Sequence, residues 1–308
     1  MTRTCFIVNP VSAAGKTGRW WPRVERVIRR LWGRDFEVAF TERPWHAAEL
    51  TSRALRRGCL RVVSVGGDGT LNEVVNGFFN RGRLIQPQAA LGLLELGTGA
   101  DFAKSLPLPK KPEEVLEIIR NGRSRKIDLG LAEFTGTNGT VCSRYFVNIL
   151  DFGLGGAVVE RVNRASKRWG GKAAFLKGIL VTLATYKNKT IRFQLDDGPW
   201  QTRKLNNFIV ANGRYFGGGL LPAPQADLSD GKFDIVFLGD VGRLEAVLNL
   251  SKLRKGTHFE NPKVSGTRAA RVQAESEEPV FIDIDGEFVG TLPIKILVLP
   301  QILPILIH

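Results

Sequence analysis

The sequence predicts an α/β N-terminal domain with an open parallel sheet, followed by an antiparallel β-sandwich domain. Three observations predict it. Short β-branched runs alternate with amphipathic helical stretches through the first 127 residues. Those runs end in glycine and polar residues, at the edge where open α/β sheets bind ligands. After Lys126-Ile127-Asp128-Leu129-Gly130 the texture changes to short strands separated by turn residues. Residues 1–127 and 128–292 are the two expected domains.

Thr4–Val8 reads as a first buried strand. Asn9-Pro10-Val11-Ser12-Ala13-Ala14-Gly15-Lys16-Thr17 follows and comes close to a P-loop, but Pro10 stands where the first glycine belongs. Such a loop can still hold phosphate through its N–H groups. Trp20–Trp32 is an expected helix, with Trp20, Val24, Val27, Ile28 and Leu31 on one face and Arg23, Arg26, Arg29 and Arg30 mostly on the other. A solvated basic face accounts for those arginines without a docking partner. Phe36–Phe40 is a second strand, ending at Thr41, and Ala47–Arg57 a second helix.

The chain is organised around Arg61–Phe79. Val62, Val63 and Val65 make a short buried strand, and Gly66-Gly67-Asp68-Gly69-Thr70 turns the chain. Leu71, Val74, Val75 and Phe78 then recur at i, i+3, i+4 and i+7, the apolar face of a helix. Glycines this dense cost entropy unless the backbone needs positive φ or a close approach. Strand, turn and helix N-terminus together form an anion site, with phosphate the expected anion. A plain βα turn with Asp68 and Thr70 as caps is the bland alternative. The carboxylate among the glycines, which capping does not require, favours a phosphate-and-metal site.

Ala90–Leu96 is a further strand closed by Gly97-Thr98-Gly99-Ala100-Asp101-Phe102, and Pro112–Asn121 a short helix. In the second half the expected strands are Tyr145–Ile149, Thr190–Leu195, Phe208–Ala211, Phe233–Phe237, Arg271–Ala274 and Val280–Asp285. A helical interruption at Val158–Thr185 interleaves basic residues with Trp169, Phe175 and Leu176. Asp151-Phe152-Gly153 spells a protein-kinase tripeptide, but without that family's other motifs it reads as a loop after a strand. Asp285-Gly286 is also the standard two-residue hairpin signal.

Apolar content of 43% and charged content of 24% describe a globular chain. No signal segment is expected, because Phe6-Ile7-Val8 runs straight into Asn9-Pro10. Leu292–Ile307 is apolar but broken by three prolines and Lys295, so it is not expected to span a bilayer. Cys5, Cys59 and Cys142 suggest a reducing compartment and fit no metal spacing. His46, His258 and His308 are too scattered for a triad, and no G-x-S-x-G offers an acyl-transfer nucleophile. A net charge of +14 admits nucleic acid, an anionic membrane or small phosphorylated molecules as partners. No aromatic–basic sheet motif of the RNA-binding kind is present, so nucleic acid is not expected.

Taken together, these residues resemble the diacylglycerol kinase catalytic-domain family, which includes bacterial lipid kinases and sphingosine kinases. The resemblance spans almost the whole chain. It rests on Asn9-Pro10 with Ser12 and Gly15, Gly66–Thr70 with Leu71–Gly77, and Gly97-Thr98-Gly99-x-Asp101-Phe102. It continues through Ile127-Asp128, Gly217–Gly219 leading to Asp230-Gly231, and Asp285-Gly286-Glu287. The glycine–aspartate motif alone is shared with NAD kinases and phosphofructokinases. One departure stands out: Ala100 occupies the family's usual asparagine position.

The resemblance implies an ATP- and Mg²⁺-dependent lipid kinase, with diacylglycerol the default acceptor and ATP and lipid meeting in a cleft. Asn9, Thr41, Gly66, Gly67, Asp68, Gly69, Thr70, Leu71, Asn72 and Thr98 would bind nucleotide. Asp68 would organise Mg²⁺ with help from Asp101 and Asp128, and Glu287 would be the general base. Asp227, Asp230 and the carbonyl of Lys232 would form a second, structural metal loop. Residues 293–308 would pack back on the first domain. A cytoplasmic protein bound peripherally to anionic membrane is expected, through a candidate interface at Arg161–Leu176, and a homodimer is compatible with the sequence. The rival reading is a soluble small-molecule kinase of the NAD kinase type.

Overall fold

The structure, a computed structural model, describes residues 3–96, 100–169 and 181–307. It divides into two compact units, Met1–Leu129 with Gln301–His308, and Gly130–Pro300.

The first unit alternates β1 (Thr4–Val8), α1 (Ser12–Trp32), β2 (Phe36–Phe40), α2 (His46–Arg56), β3 (Arg61–Gly66) and α3 (Asp68–Gly77). A small hairpin, β4 (Phe79–Asn80) and β5 (Arg83–Leu84), precedes β6 (Ala90–Glu95) and α4 (Pro112–Asn121). The strands lie in the order β2-β1-β3-β6, all parallel. Every residue of β1 is buried, as are Val62–Gly66 of β3, because helices cover both faces of a parallel sheet. Trp21, Val24 and Ile28 of α1 pack with Phe6, Val63, Val65, Leu116 and Ile119, while Arg23, Arg26, Arg29 and Arg30 stay exposed. α1 starts at Ser12 rather than Trp20, with a left-handed turn at Ala13–Gly15 inside it. Gly18 does not break the helix. A Cβ there would sit 2.8 Å from the Pro10 carbonyl, so the glycine permits a close approach.

The segment 301–307 completes this sheet, with Ile305 paired in parallel to Leu91 of β6. Asp128 fastens it: fully buried, it accepts the Gln301 N–H at 2.6 Å.

The second unit receives the end of β7 (Arg123–Gly136), then β8 (Val141–Phe146), β9 (Ile149–Gly153) and α5 (Leu154–Trp169). β10 (Lys189–Leu195), β11 (Gln201–Leu205), β12 (Asn207–Ala211), β13 (Phe233–Leu238), α6 (Arg243–Lys255) and β14 (Val264–Ala269) follow. β15 (Arg271–Glu275), β16 (Phe281–Ile284) and β17 (Glu287–Ile307) complete it. One antiparallel row runs β14-β13-β12-β9-β16-β17, and a second runs β11-β10-β15-β17. Their shared core stacks Phe146 on Phe233 and Phe152 on Phe208, with Phe193 and Phe237 edge-on or tilted against them.

Three expectations need correcting. The strand expected at Tyr145–Ile149 is interrupted after Phe146, because the backbone of residues 147–149 turns to a buried carboxylate. Asp151-Phe152-Gly153 is not a loop but the buried end of β9. The interrupting helix begins at Leu154 rather than Val158. Residues 170–176 of the candidate interface Arg161–Leu176 lie outside the described residues. Among the described residues no helix is long and apolar enough to cross a membrane.

Gly130 lies opposite Phe146 on the β7–β8 ladder, and a Cβ there would overlap the Phe146 ring, which is fully buried. Gly130→Ala is expected to cost about 1–3 kcal/mol through overpacking. A lowered urea midpoint at unchanged slope would show it.

Candidate active site

In the first unit the polar residues gather where β1, β2, β3 and β6 end. β3 closes on Gly66, Gly67 is extended at φ −119°, and α3 begins at Asp68. Neither Gly66 nor Gly67 has positive φ. Gly66 is required by closeness: its Cβ would lie 2.5 Å from the Thr70 hydroxyl. That hydroxyl accepts a hydrogen bond from Asn9 Nδ2 at 2.9 Å, tying the loop after β1 to the first turn of α3. The first-turn amides of α3 lack helical partners, and the helix dipole adds positive potential there. Thr41, just beyond β2, donates its N–H to the Val8 carbonyl at 2.8 Å. Leu71 and Asn72 are each 1% exposed and shape α3 from behind this edge. Thr98 lies outside the described residues.

Asp68 joins the two glycine turns. Its carboxylate accepts the N–H groups of Asp101 at 3.2 Å and Phe102 at 3.1 Å. Burial raises its pKa, the two amides oppose that rise, and the Asp101 charge adds to it. Asp101 is 4% exposed and pairs with Lys104 at 2.6 Å. Glu95, the last residue of β6, has both carboxylate oxygens buried without a hydrogen-bond partner among the described residues. Burial first, then the charges of Asp68 and Asp101, push it up to about 8. Asp128 sits at the returning segment, with its carboxylate on Gln301. Glu95 leaves two buried oxygens without partners among the described residues, donors of the kind a hard cation takes, although Glu95, Asp68 and Asp101 do not all converge to within 4.8 Å of one another.

In the second unit, Asp285 and Gly286 have φ of 49° and 88°, a primed turn joining β16 to β17. The hairpin and the catalytic reading of this motif are therefore compatible. The turn makes Glu287 the first residue of β17, opposite Ile284. Asp285, 8% exposed, accepts three backbone N–H groups, from Val147 (3.0 Å), Asn148 (3.1 Å) and Ile149 (3.0 Å). Arg144 Nη1 donates to Glu287 Oε2 at 2.8 Å, with side-chain exposures of 12% and 37%. A carboxylate so held keeps one orientation and still meets solvent.

Asp227 and Asp230 each close a local turn, accepting the N–H groups of Ser229 and Lys232 at 3.0 Å. Arg268 stands 3.5 Å from Asp230. The cysteines are less scattered than their spacing implies. Cys5 and Cys59 converge with Glu37 to within 4.8 Å, although Glu37 already pairs with Arg3.

Residues 3–132 match the model of the diacylglycerol kinase catalytic domain, and residues 148–307 that of the YegS C-terminal NAD kinase beta sandwich-like domain. The chain belongs to the diacylglycerol kinase catalytic-domain family. Curated relatives include diacylglycerol kinases of Staphylococcus carnosus, 28% identical over 97% of this chain and 93% of that one, and Bacillus subtilis, 29% identical over 95% and 92%. Among solved structures, a candidate diacylglycerol kinase from Bacillus anthracis shares the fold at TM-score 0.76, with 23% identity, over 99% of this chain and 95% of the other. An NAD kinase from Archaeoglobus fulgidus shares it at TM-score 0.51 with 12% identity, over 99% and 93%. This family member is thus a phosphotransferase with an alcohol acceptor.

Within the family frame, Ala100 acquires a physical meaning. Its φ is 50°, the left-handed region that asparagine adopts at lower cost than alanine. Ala100→Asn is expected to stabilise the protein by about 1 kcal/mol, read as a raised thermal midpoint.

Glu95 was missed by sequence reasoning because it ends an apolar strand; its only signal is an acid two residues before the first glycine of a turn. Its folded-state pKa of about 8 exceeds the value of about 4.3 for an unfolded glutamate. The folded protein therefore retains a proton that the unfolded chain loses, and stability falls as pH climbs between those values. Glu95→Gln is expected to reduce that fall, checked by thermal unfolding at about pH 5 and about pH 9.

Proposed function

We propose that this protein is an ATP- and Mg²⁺-dependent lipid kinase that transfers the γ-phosphate to a lipid hydroxyl, diacylglycerol-like by default. The observation that carries the reading is Glu287: a partly exposed carboxylate, fixed at the start of β17, in a chain whose relatives over nearly its full length are diacylglycerol kinases.

The first unit supplies the donor side. Main-chain N–H groups of Gly67–Thr70 would cradle ATP phosphates, with Asn9 and Thr41 shaping the pocket and Leu71 and Asn72 backing it. Asp68 and Asp101, joined by Glu95, would hold Mg²⁺; Asp128 anchors the returning segment nearby in sequence terms to the domain boundary. The ion, when bound, neutralises charge on the transferring phosphoryl group. The second unit supplies the acceptor side. Glu287 takes the proton of the lipid hydroxyl as that oxygen bonds to the γ-phosphorus and ADP leaves. Asp227, Asp230 and the Lys232 carbonyl would form the second, structural cation loop. The net charge of +14 favours approach to anionic bilayers.

Fold likeness to an NAD kinase keeps a soluble acceptor in the assay. Transfer of labelled γ-phosphate into a lipid panel in mixed micelles, with NAD and water as further acceptors, tests the reading. Label is expected in a lipid, lost with chelator, and reduced about 10²–10⁴-fold in Glu287→Ala. Label in NAD alone would replace the lipid reading.

A further inference from the structure

Beneath the Glu287 hairpin lie two acids that the reaction above leaves unused. Asp151 of β9 and Asp283 of β16 are direct partners across the antiparallel ladder, 1% and 6% exposed. Opposed residues share one face of a sheet with Cβ atoms about 4.5–5.5 Å apart. Their neighbours Leu150, Phe152, Ile282 and Ile284 belong to the sandwich core, so the acids occupy the other face, against which α5 packs.

Each acid is only half satisfied. Asp151 Oδ1 accepts from Asn207 Nδ2 at 3.1 Å, and the Gly156 N–H in the first turn of α5 also bonds this carboxylate. The helix start lies so near that a Cβ at Gly155 would overlap the Asp151 carboxylate. Asp283 accepts the Gly286 N–H, in the turn of the hairpin itself. Asp151 Oδ2 and Asp283 Oδ1 have no hydrogen-bond partner among the described residues.

Two ionised carboxylates cannot sit side by side in so dry a place. One proton between them would satisfy both orphan oxygens. The helix N-terminus and Asn207 favour leaving the negative charge on Asp151, so the proton belongs on Asp283. Burial pushes both acids up, and Asp151 raises Asp283 further. The other titratable or charged groups facing the pair are Asp285 and Glu287 from the hairpin and Tyr186 from the segment after α5. Glu160 and Arg161 of α5 line the adjoining groove with Tyr186 and Phe281.

We propose that Asp151 and Asp283 hold a single proton between them, and that this shared proton locks the Asp285–Glu287 hairpin in place. They are then positioning residues for the base, a role that rests on the reading of Glu287 given above. Losing the proton sets two like charges against each other at the root of the hairpin, and the Gly286 and Val147–Ile149 amides loosen with it. A purely structural role would be better met by an amide. A folded-state pKa raised above the unfolded value means that stability is full below about pH 4 and is lost as pH rises toward the folded value.

The test uses the full chain, wild type beside Asp283→Asn. Infrared difference spectra at neutral pH should show a protonated carboxyl in wild type minus Asp283→Asn; taking the difference cancels the contribution of Glu95. Hydrogen exchange, corrected for intrinsic rate, should show the Gly286 and Val147–Ile149 amides losing protection about tenfold per pH unit on the alkaline side in wild type, but not in Asp283→Asn. In the lipid assay kcat should follow protection while KM for ATP stays unchanged. No protonated carboxyl, or equal alkaline loss of protection in both proteins, would overturn the proposal. Should Asp283→Asn fail to fold, wild-type exchange decides alone: protection of the Gly286 and Val147–Ile149 amides that does not change on the alkaline side would overturn the proposal. Absence of phosphate transfer in wild type would sink the kinase reading alone, because spectra and exchange need no substrate.

Discussion

Asp285 takes three consecutive backbone N–H groups, those of Val147, Asn148 and Ile149, and this one side chain sets the geometry of much of the second unit. It forces the break between β8 and β9, fixes the turn that starts β17, and so determines where Glu287 emerges. Charge-assisted bonds to main chain are stronger than neutral ones, and three on one carboxylate leave the turn little freedom. Arg144, arriving on the strand that leads into those amides, then settles the orientation of Glu287 itself.

The first unit repeats the device. Asp68 collects the amides of Asp101 and Phe102, and Asp128 collects that of Gln301. A motif aspartate in this fold is thus a structural acceptor before any ligand arrives. The two roles are compatible, since a carboxylate can bond amides and still offer lone pairs to a cation. Glu95 differs in kind, with no hydrogen-bond partner among the described residues.

The sequence was most legible where periodicity alone decides. The valines of β3 and the Val24, Ile28 face of α1 announce buried elements without help from the rest of the chain, although the buried tryptophan is Trp21 and the expected Trp20 is exposed. It was least legible where a polar side chain works at long range. Nothing local tells that Asp285 reaches residues 147–149, since Asp-Gly looks like a plain turn, or that Asp151, two residues before a glycine, sits in a strand. Cys5 and Glu37 meet through the parallel register of β1 and β2, and Cys59 arrives just before β3, the other neighbour of β1. The dense glycines before α3 were rightly read as a constraint, but for Gly66 the constraint is the nearness of Thr70 rather than a left-handed backbone. Residues 97–99 and 170–180 carried motif and interface expectations that lie outside the described residues.

The pairing of Ile305 with Leu91 has a consequence for synthesis. The first unit's other strands and helices leave the ribosome long before residues 301–307. Until those residues appear, the apolar edge of β6 has no neighbour, and such an edge invites pairing with other chains. Maturation of the first unit therefore waits on translation of the entire second unit. A nascent chain stalled within the second unit exposes that edge to chaperones or to aggregation.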